Sequence, residues 1–176
     1  MDMKRRIALV LAAVIAAASL SGCTNPNTPI PDVTYTQEDI DNSARWLTIE
    51  DNFVTDCSDE ATKVVIPEGV TEIYPHAFGG CTGLSSIKIP NSVTKIHRQA
   101  FEGCTRLTSI NFPNSVTEIS NFAFCDCTGL TSINIPDSVT DIGLNAFYGC
   151  TNISVTYKGK TYDYANIEDL YKAARG

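Results

Sequence analysis

The phrase PNSVTKIHRQAFEGCTRLTSINF, Pro90 to Phe112, is written three times and begun a fourth. The copy before it runs from Pro67 to Ile89, the copy after it from Pro113 to Ile135, and a last one starts at Pro136 and dissolves after Cys150. Self-similarity at a fixed period of 23 residues leaves few alternatives to a short-repeat solenoid, in which each period is one coil of the chain. Aligned by period, the columns that stay apolar are Val70, Val93, Val116 and Val139; Ile73, Ile96, Ile119 and Ile142; Ala77, Ala100, Ala123 and Ala146; Phe78, Phe101, Phe124 and Phe147; and Cys81, Cys104, Cys127 and Cys150. Leu84, Leu107, Leu130 and Ile153 form a further column, as do Ile87, Ile110 and Ile133. Ile89, Phe112 and Ile135 stand just before each proline. A lone coil cannot offset the entropy of ordering its own backbone, so the columns must stack into continuous buried ladders.

Within a coil, Ser86-Ile87-Lys88-Ile89 alternates polar and apolar residues and ends at a proline that lacks a ladder donor, which predicts a short strand. Ile73, Ala77 and Cys81 recur at a spacing of four, with Phe78 beside them, and predict a helical turn on the opposite side of the coil. Gly80, Gly103 and Gly149 follow that turn at a position expected to be left-handed, with Asp126 as the tolerated substitute.

Read as Leu-x-x-Ile-x-Ile-Pro-x-x-Val-x-x-Ile-x-x-x-Ala-Phe-x-x-Cys, the phrase resembles the BspA-type leucine-rich repeat, also described from treponemal surface proteins. The resemblance spans Thr62 to Ile153. It implies an α/β leucine-rich-repeat solenoid of 23-residue coils, with short parallel strands and helical or irregular turns. It also implies a bacterial or protozoan surface protein that adheres to host proteins or to other cells, without naming a ligand.

The chain begins with Lys4, Arg5 and Arg6, continues through an apolar run from Ile7 to Leu20, and reaches Leu20-Ser21-Gly22-Cys23. That order predicts a lipoprotein signal peptide over 1–22 and diacylation of Cys23, since the apolar run is shorter than the ~20 residues of a membrane span. Two acyl chains exceed the marginal hold of one, so the expected location is extracytoplasmic, at the cell surface and lipid-anchored. Loss of 1–22 removes three bases and one acid, leaving 10 basic and 19 acidic residues and a formal charge of −9. Nucleic acid and anionic headgroups need a basic face, so neither is an expected partner.

Thr24 to Thr34 holds three prolines and no apolar periodicity, the composition of a tether over 23–34. Residues 35–66 read as an N-terminal cap. It comprises a short helix over Thr36 to Ala44 and a hairpin turning at Glu50-Asp51-Asn52, followed by Thr62 to Ile66 as the strand of the first coil. The repeats occupy 67–153. Over 154–176 a second hairpin turns at Lys158-Gly159-Lys160, and a helix runs from Ile167 to Arg175 with acids first and bases last.

No chemistry recurs with the repeat. The cysteine column predicts free buried thiols, because a ladder offers no natural pairs and regular rungs stand farther apart than a disulfide permits. Cys57 lies one residue off that register as a possible extension, and Cys125 stands in a column of Gly79, Glu102 and Tyr148, where an exposed position is expected. Cys125-Asp126-Cys127 lacks zinc spacing. His76 and His97 have no acid or nucleophile at a repeated offset, and Glu72, Lys95, Glu118 and Asp141 read as a solvated charged column. No catalytic residue, metal or cofactor is therefore expected, and the chain is expected to be a monomer.

Binding is expected where the copies differ. The turn side offers Tyr74, His76, His97, Arg98, Gln99, Asn121 and Phe122, and the strand face offers Lys88, Asn111 and Asn134. The expected role is a protein-binding or adhesion module for host or cell-surface proteins. The alternative is a passive, envelope-decorating protein, for which the uniform small polar strand face argues.

Overall fold

The computed structural model describes residues 35–175, so the expected leader over 1–22, Cys23 and the expected tether lie outside the described residues. In chain order the elements are α1 (Gln37–Trp46), β1 (Leu47–Glu50), β2 (Phe53–Cys57), β3 (Lys63–Val65), β4 (Glu72–Ile73), β5 (Ser86–Lys88), β6 (Lys95–Ile96), β7 (Ser109–Asn111), β8 (Glu118–Ile119), β9 (Ser132–Ile135), β10 (Asp141–Ile142), β11 (Ser154–Tyr157), β12 (Lys160–Asp163) and α2 (Ile167–Ala173). They form two six-stranded sheets, ordered β1-β2-β4-β6-β8-β10 and β12-β11-β9-β7-β5-β3. Within the repeats every pairing is parallel and offset by one period, as in Ile73 beside Ile96 and Ile110 beside Ile133. Each coil therefore contributes one strand to each sheet, and the core lies between them.

The second sheet contains the strand expected from the alternating segment before each proline. The first sheet was not anticipated, because its repeat strands are two residues long and too short to show alternation. Ile73 belongs to that strand and not to a helical turn. The chain beyond it bends through successive turns, with Ala77 N donating to Tyr74 O (3.2 Å), Gly79 N to His76 O (2.7 Å) and Cys81 N to Phe78 O (3.1 Å). It does not become an α-helix because intervening donors are taken by the next coil: Phe78 N donates to Ala100 O and Gly80 N to Glu102 O, both at 2.8 Å. The turns are irregular, and the coil is strand, turn, strand, turn.

The expected left-handed residues are present at Gly80 (φ 78°), Gly103 (φ 71°), Asp126 (φ 55°) and Gly149 (φ 78°). A second left-handed set has no glycine: His76, Gln99, Phe122 and Asn145, at φ 59°, 56°, 59° and 57°. These are uncommon for residues with a Cβ and cost of order 1–3 kcal/mol each, supported by the coil packing around them.

Phe78, Phe101, Phe124 and Phe147 stack through the core with no exposed surface, at successive centroid distances of 4.9, 5.0 and 5.6 Å and interplanar angles of 4°, 4° and 11°. The cysteine column runs beside them as free thiols. Cys104, Cys127 and Cys150 each donate a thiol hydrogen to the phenylalanine carbonyl of the preceding coil, at 3.1, 2.9 and 3.0 Å. Cys57 is buried and continues the column, its carbonyl 3.8 Å from Cys81 Sγ. Cys125 departs from expectation, being buried at 7% exposure. Its small side chain sits low beside Asp126, with Sγ 3.4 Å from Asp126 Oδ2, whereas Tyr148 in the same column is too large to do so and stands 55% exposed.

The ends are closed by four different devices. Above, β1 and β2 form an antiparallel hairpin through left-handed Asp51 and Asn52, and β2 pairs with β4. Helix α1 covers the edge of β3, where Ser43 Oγ accepts a hydrogen bond from Val65 N (2.8 Å) and donates to Asp39 O (2.6 Å). The helix is started by a capping box between Thr36 and Asp39 and ends two residues later than expected, at Trp46. Below, β11 and β12 form the second hairpin, and α2 brings the Tyr171 hydroxyl to accept from Phe147 N (3.1 Å). That amide would otherwise donate to the alanine carbonyl of a following coil.

Candidate binding surface

Because Ile73, Ile96, Ile119 and Ile142 point into the core, their neighbours on either side point outward from the first sheet. On one side the register aligns Glu72, Lys95, Glu118 and Asp141. Lys95 Nζ lies 2.8 Å from Glu118 Oε2, and Ser120 Oγ donates to Glu118 Oε1 at 2.8 Å. Burial pushes the Glu118 carboxyl up, but the bonds from Lys95 and Ser120 outweigh it and hold the group below its usual value. The Lys95 ammonium is correspondingly raised by its bond to Glu118.

On the other side of the isoleucines stand Tyr74 and His97, which meet edge to face at 5.2 Å and 70°. Phe53, in register with Glu72, stacks its ring on Tyr74 at 4.5 Å and 14° and extends them into an aromatic strip. His97 Nε2 is 2.5 Å from Glu72 Oε2, so an acid does accompany this histidine. The offset of 25 residues is one period plus two, which places the two side chains on adjacent coils and the same face. His76 Nδ1 lies 3.6 Å from Glu102 Oε2, and Gln99 Nε2 donates to the same oxygen at 2.7 Å. Arg98 and Asn121 are exposed and border a shallow cleft of ≈ 320 Å³ that Asp141 and Arg175 complete, while Phe122 is half-buried on the adjoining turn.

Lys88, Asn111 and Asn134 form a single row on the second sheet, in register with Thr156 below. The ten candidate residues thus divide between two surfaces separated by the core. Seven belong to the first sheet and its turns, and three to the second sheet. Phe53, Glu72 and Glu102 join the first group. Reading Phe53 only as part of a cap, Glu72 only as part of a charged column and Glu102 only as a neighbour of the Cys125 column conceals them.

Among the described residues no three His, Cys, Asp or Glu side chains come together as a metal site. Cys125 and Cys127 diverge, one toward Asp126 and the other to the Phe101 carbonyl. Burial, with Asp126 adding to it, raises the Cys125 thiol to about 11, so it is not an activated nucleophile. Among the described residues no helix is long and apolar enough to cross a membrane.

Comparison with known proteins identifies the BspA type leucine rich repeat region in six copies across residues 47–166. The chain belongs to this family. Among solved structures, a BspA-type chain of this kind is similar to the leucine rich repeat protein of T. pallidum, with 37% identity and a TM-score of 0.53 over 53% of this chain and 44% of that one. It is similar to a leucine-rich repeat protein of Bacteroides ovatus (32%, TM-score 0.50, over 59% of this chain and 31% of that one). It also resembles a leucine rich cell surface protein of Faecalibacterium prausnitzii (28%, TM-score 0.50, over 69% and 39%). The chain spans less than half the length of each. No curated protein matches it. BspA-type repeats are generally protein-interaction modules and typically non-enzymatic scaffolds.

Proposed function

We propose that this BspA-type chain is a lipid-anchored cell-surface module that binds proteins of a host or of neighbouring cells, and so serves adhesion. The observation that carries the reading is a contrast between two sets of columns. Inward residues hardly change from coil to coil, whereas outward residues of the first sheet change at every coil and include the strip Phe53, Tyr74 and His97. Packing does not require that variation, and aromatic and arginine side chains are the usual anchors of protein interfaces. In this reading Tyr74, His97, Arg98 and Phe122 are the principal contacts, with His76, Gln99 and Asn121 beside them.

The anchor rests on the order of basic residues, apolar run and Leu20-Ser21-Gly22-Cys23, with residues 23–34 holding the domain off the membrane. The similarity to a leucine rich cell surface protein of Faecalibacterium prausnitzii supports the same location. The partner is a protein and not nucleic acid, the protomer acts as a monomer, and no catalytic step is assigned to it. A passive envelope-decorating role is the second reading, favoured by the plain serine and asparagine rows of the second sheet.

The test displays the full chain on cells and measures binding to immobilised matrix proteins, to mucin and to whole cells. Saturable binding that falls at least about tenfold in Tyr74→Ala or Arg98→Ala supports the proposal, as expected of interface anchors. No saturable binding at micromolar concentration favours the passive role. Binding that survives both changes but is lost in Asn111→Ala moves the site to the second sheet.

A further inference from the structure

At the lower corner of the second sheet the repeat is broken in two places that adjoin in space. The residue before each proline is isoleucine and buried at Ile66, Ile89 and Ile135, but it is phenylalanine at Phe112, and that ring is only partly buried. It meets Phe124 edge to face at 5.7 Å and leaves part of its surface uncovered. Strand β7 stops at Asn111, as β3 and β5 stop at Val65 and Lys88, whereas β9 continues to Ile135, so the ladder between β7 and β9 ends one residue short beside Phe112. One coil further on, the hairpin turn after Tyr157 projects Lys158 past the end of β9.

Between these features lies a groove of ≈ 380 Å³, lined by Phe112, Asn114, Asn134, Asp137, Thr156 and Lys158 among others. The volume falls within the usual range of small-molecule sites, roughly 300–1,000 Å³. Ser138 at its rim is already committed, donating to Val116 O at 2.9 Å. The side chains of Asn114, Asn134, Asp137 and Thr156 make no hydrogen bond to another described residue, so two amides, a carboxylate and a hydroxyl converge on the groove with their capacity open. Lys158 rests over the Tyr157 ring at 4.9 Å, and Asp137 lines the same groove and acts on its charge through space.

We propose that this groove binds a neutral hexopyranose, alone or as the terminal residue of a glycan. Amides and a carboxylate each offer two adjacent polar atoms, the spacing that neighbouring sugar hydroxyls match, and a partly exposed aromatic ring suits the C–H face of a pyranose. A free anion lacks an unopposed cation there. A peptide finds no free sheet edge in the groove, because β7, β9 and β11 beneath it each have a strand on both sides, and it meets one aromatic ring where an apolar side chain needs a pocket.

Saturation-transfer difference NMR on the full chain tests this with the methyl glycosides of mannose, glucose and galactose and with N-acetylglucosamine, each at ~10 mM to reach affinities in the millimolar range. Saturation of the ring protons of at least one sugar is expected, with affinity falling at least tenfold in the double variant Asn134→Ala/Asp137→Ala. Phe112→Ile, which restores the residue of the neighbouring coils, should abolish the signal without lowering the thermal midpoint. Absence of transfer to all four sugars overturns the proposal, as does transfer that survives both variants. Trialanine bound in their place, and released by the same variants, would make the groove a peptide site and equally overturn it.

Discussion

Replacing Phe101 by alanine tests the stacked core more directly than any other single change. The ring is wholly buried, with Phe78 at 4.9 Å on one face and Phe124 at 5.0 Å on the other. A buried aromatic side chain removes roughly 150–250 Å² from water, which at ~25 cal/mol per Å² corresponds to ~4–6 kcal/mol. Alanine retains part of that area and the denatured chain already hides some of it, which brings the expected loss to ~3–5 kcal/mol. The space cannot close, because the flanking coils are fixed by Phe78 N to Ala100 O and Phe101 N to Ala123 O, both 2.8 Å. Urea denaturation followed by far-ultraviolet circular dichroism should show a lower midpoint with an unchanged slope. Lys88→Ala, exposed on the second sheet, should shift stability by less than about 0.5 kcal/mol. A loss below ~1 kcal/mol for Phe101→Ala, or equal effects of the two changes, would refute the reasoning that the ladder is continuous and cannot collapse.

Other outcomes follow from the ends and the sulfur column. Tyr171→Phe should cost ~1–3 kcal/mol, because Phe147 N loses its acceptor in a buried place; an unchanged melting midpoint would mean that water replaces the hydroxyl. Reducing agent should leave the thermal midpoint where it is, since all six described cysteines are free and burial raises the Cys150 thiol to about 12. A drop equivalent to a lost bridge, ~2–5 kcal/mol, would contradict this. Cys23→Ser should release the protein from membranes in a sedimentation assay, and retention in high salt would refute the proposed anchor.

The parts of the fold legible in the sequence were those written once per period. Identical residues at Phe78, Phe101, Phe124 and Phe147 can only reflect identical environments, the two hairpins carry their own turn residues, and α2 carries acids in its first turn and Lys172 in its last. The first sheet was hidden because a strand of two residues has no period to read. The left-handed state of His76, Gln99 and Phe122 was hidden because none of them is glycine. Spacing suggested a helix at Ile73, Ala77 and Cys81, yet that spacing arises from a turn whose amides are claimed by the next coil. For the candidate surface, the variable triplets name single side chains and not the partnerships those side chains make across coils. His97 with Glu72 and Phe53 with Tyr74 depend on register, which neither segment states alone.

The Tyr171 hydroxyl offers Phe147 N an oxygen where another coil would offer an alanine carbonyl. The lower cap is therefore fitted to a generic coil face and carries no memory of how many coils precede it. A tandem duplication or deletion of 23 codons inside the repeat would leave both terminal interfaces chemically intact. It would lengthen or shorten the molecule by one strand spacing, ~4.8 Å. An insertion that is not a whole multiple of 23 residues would break the register of the phenylalanine column. Such a gene can vary the area of its outer surface in discrete steps by recombination between its own near-identical segments, without any new solution to the problem of ending the stack.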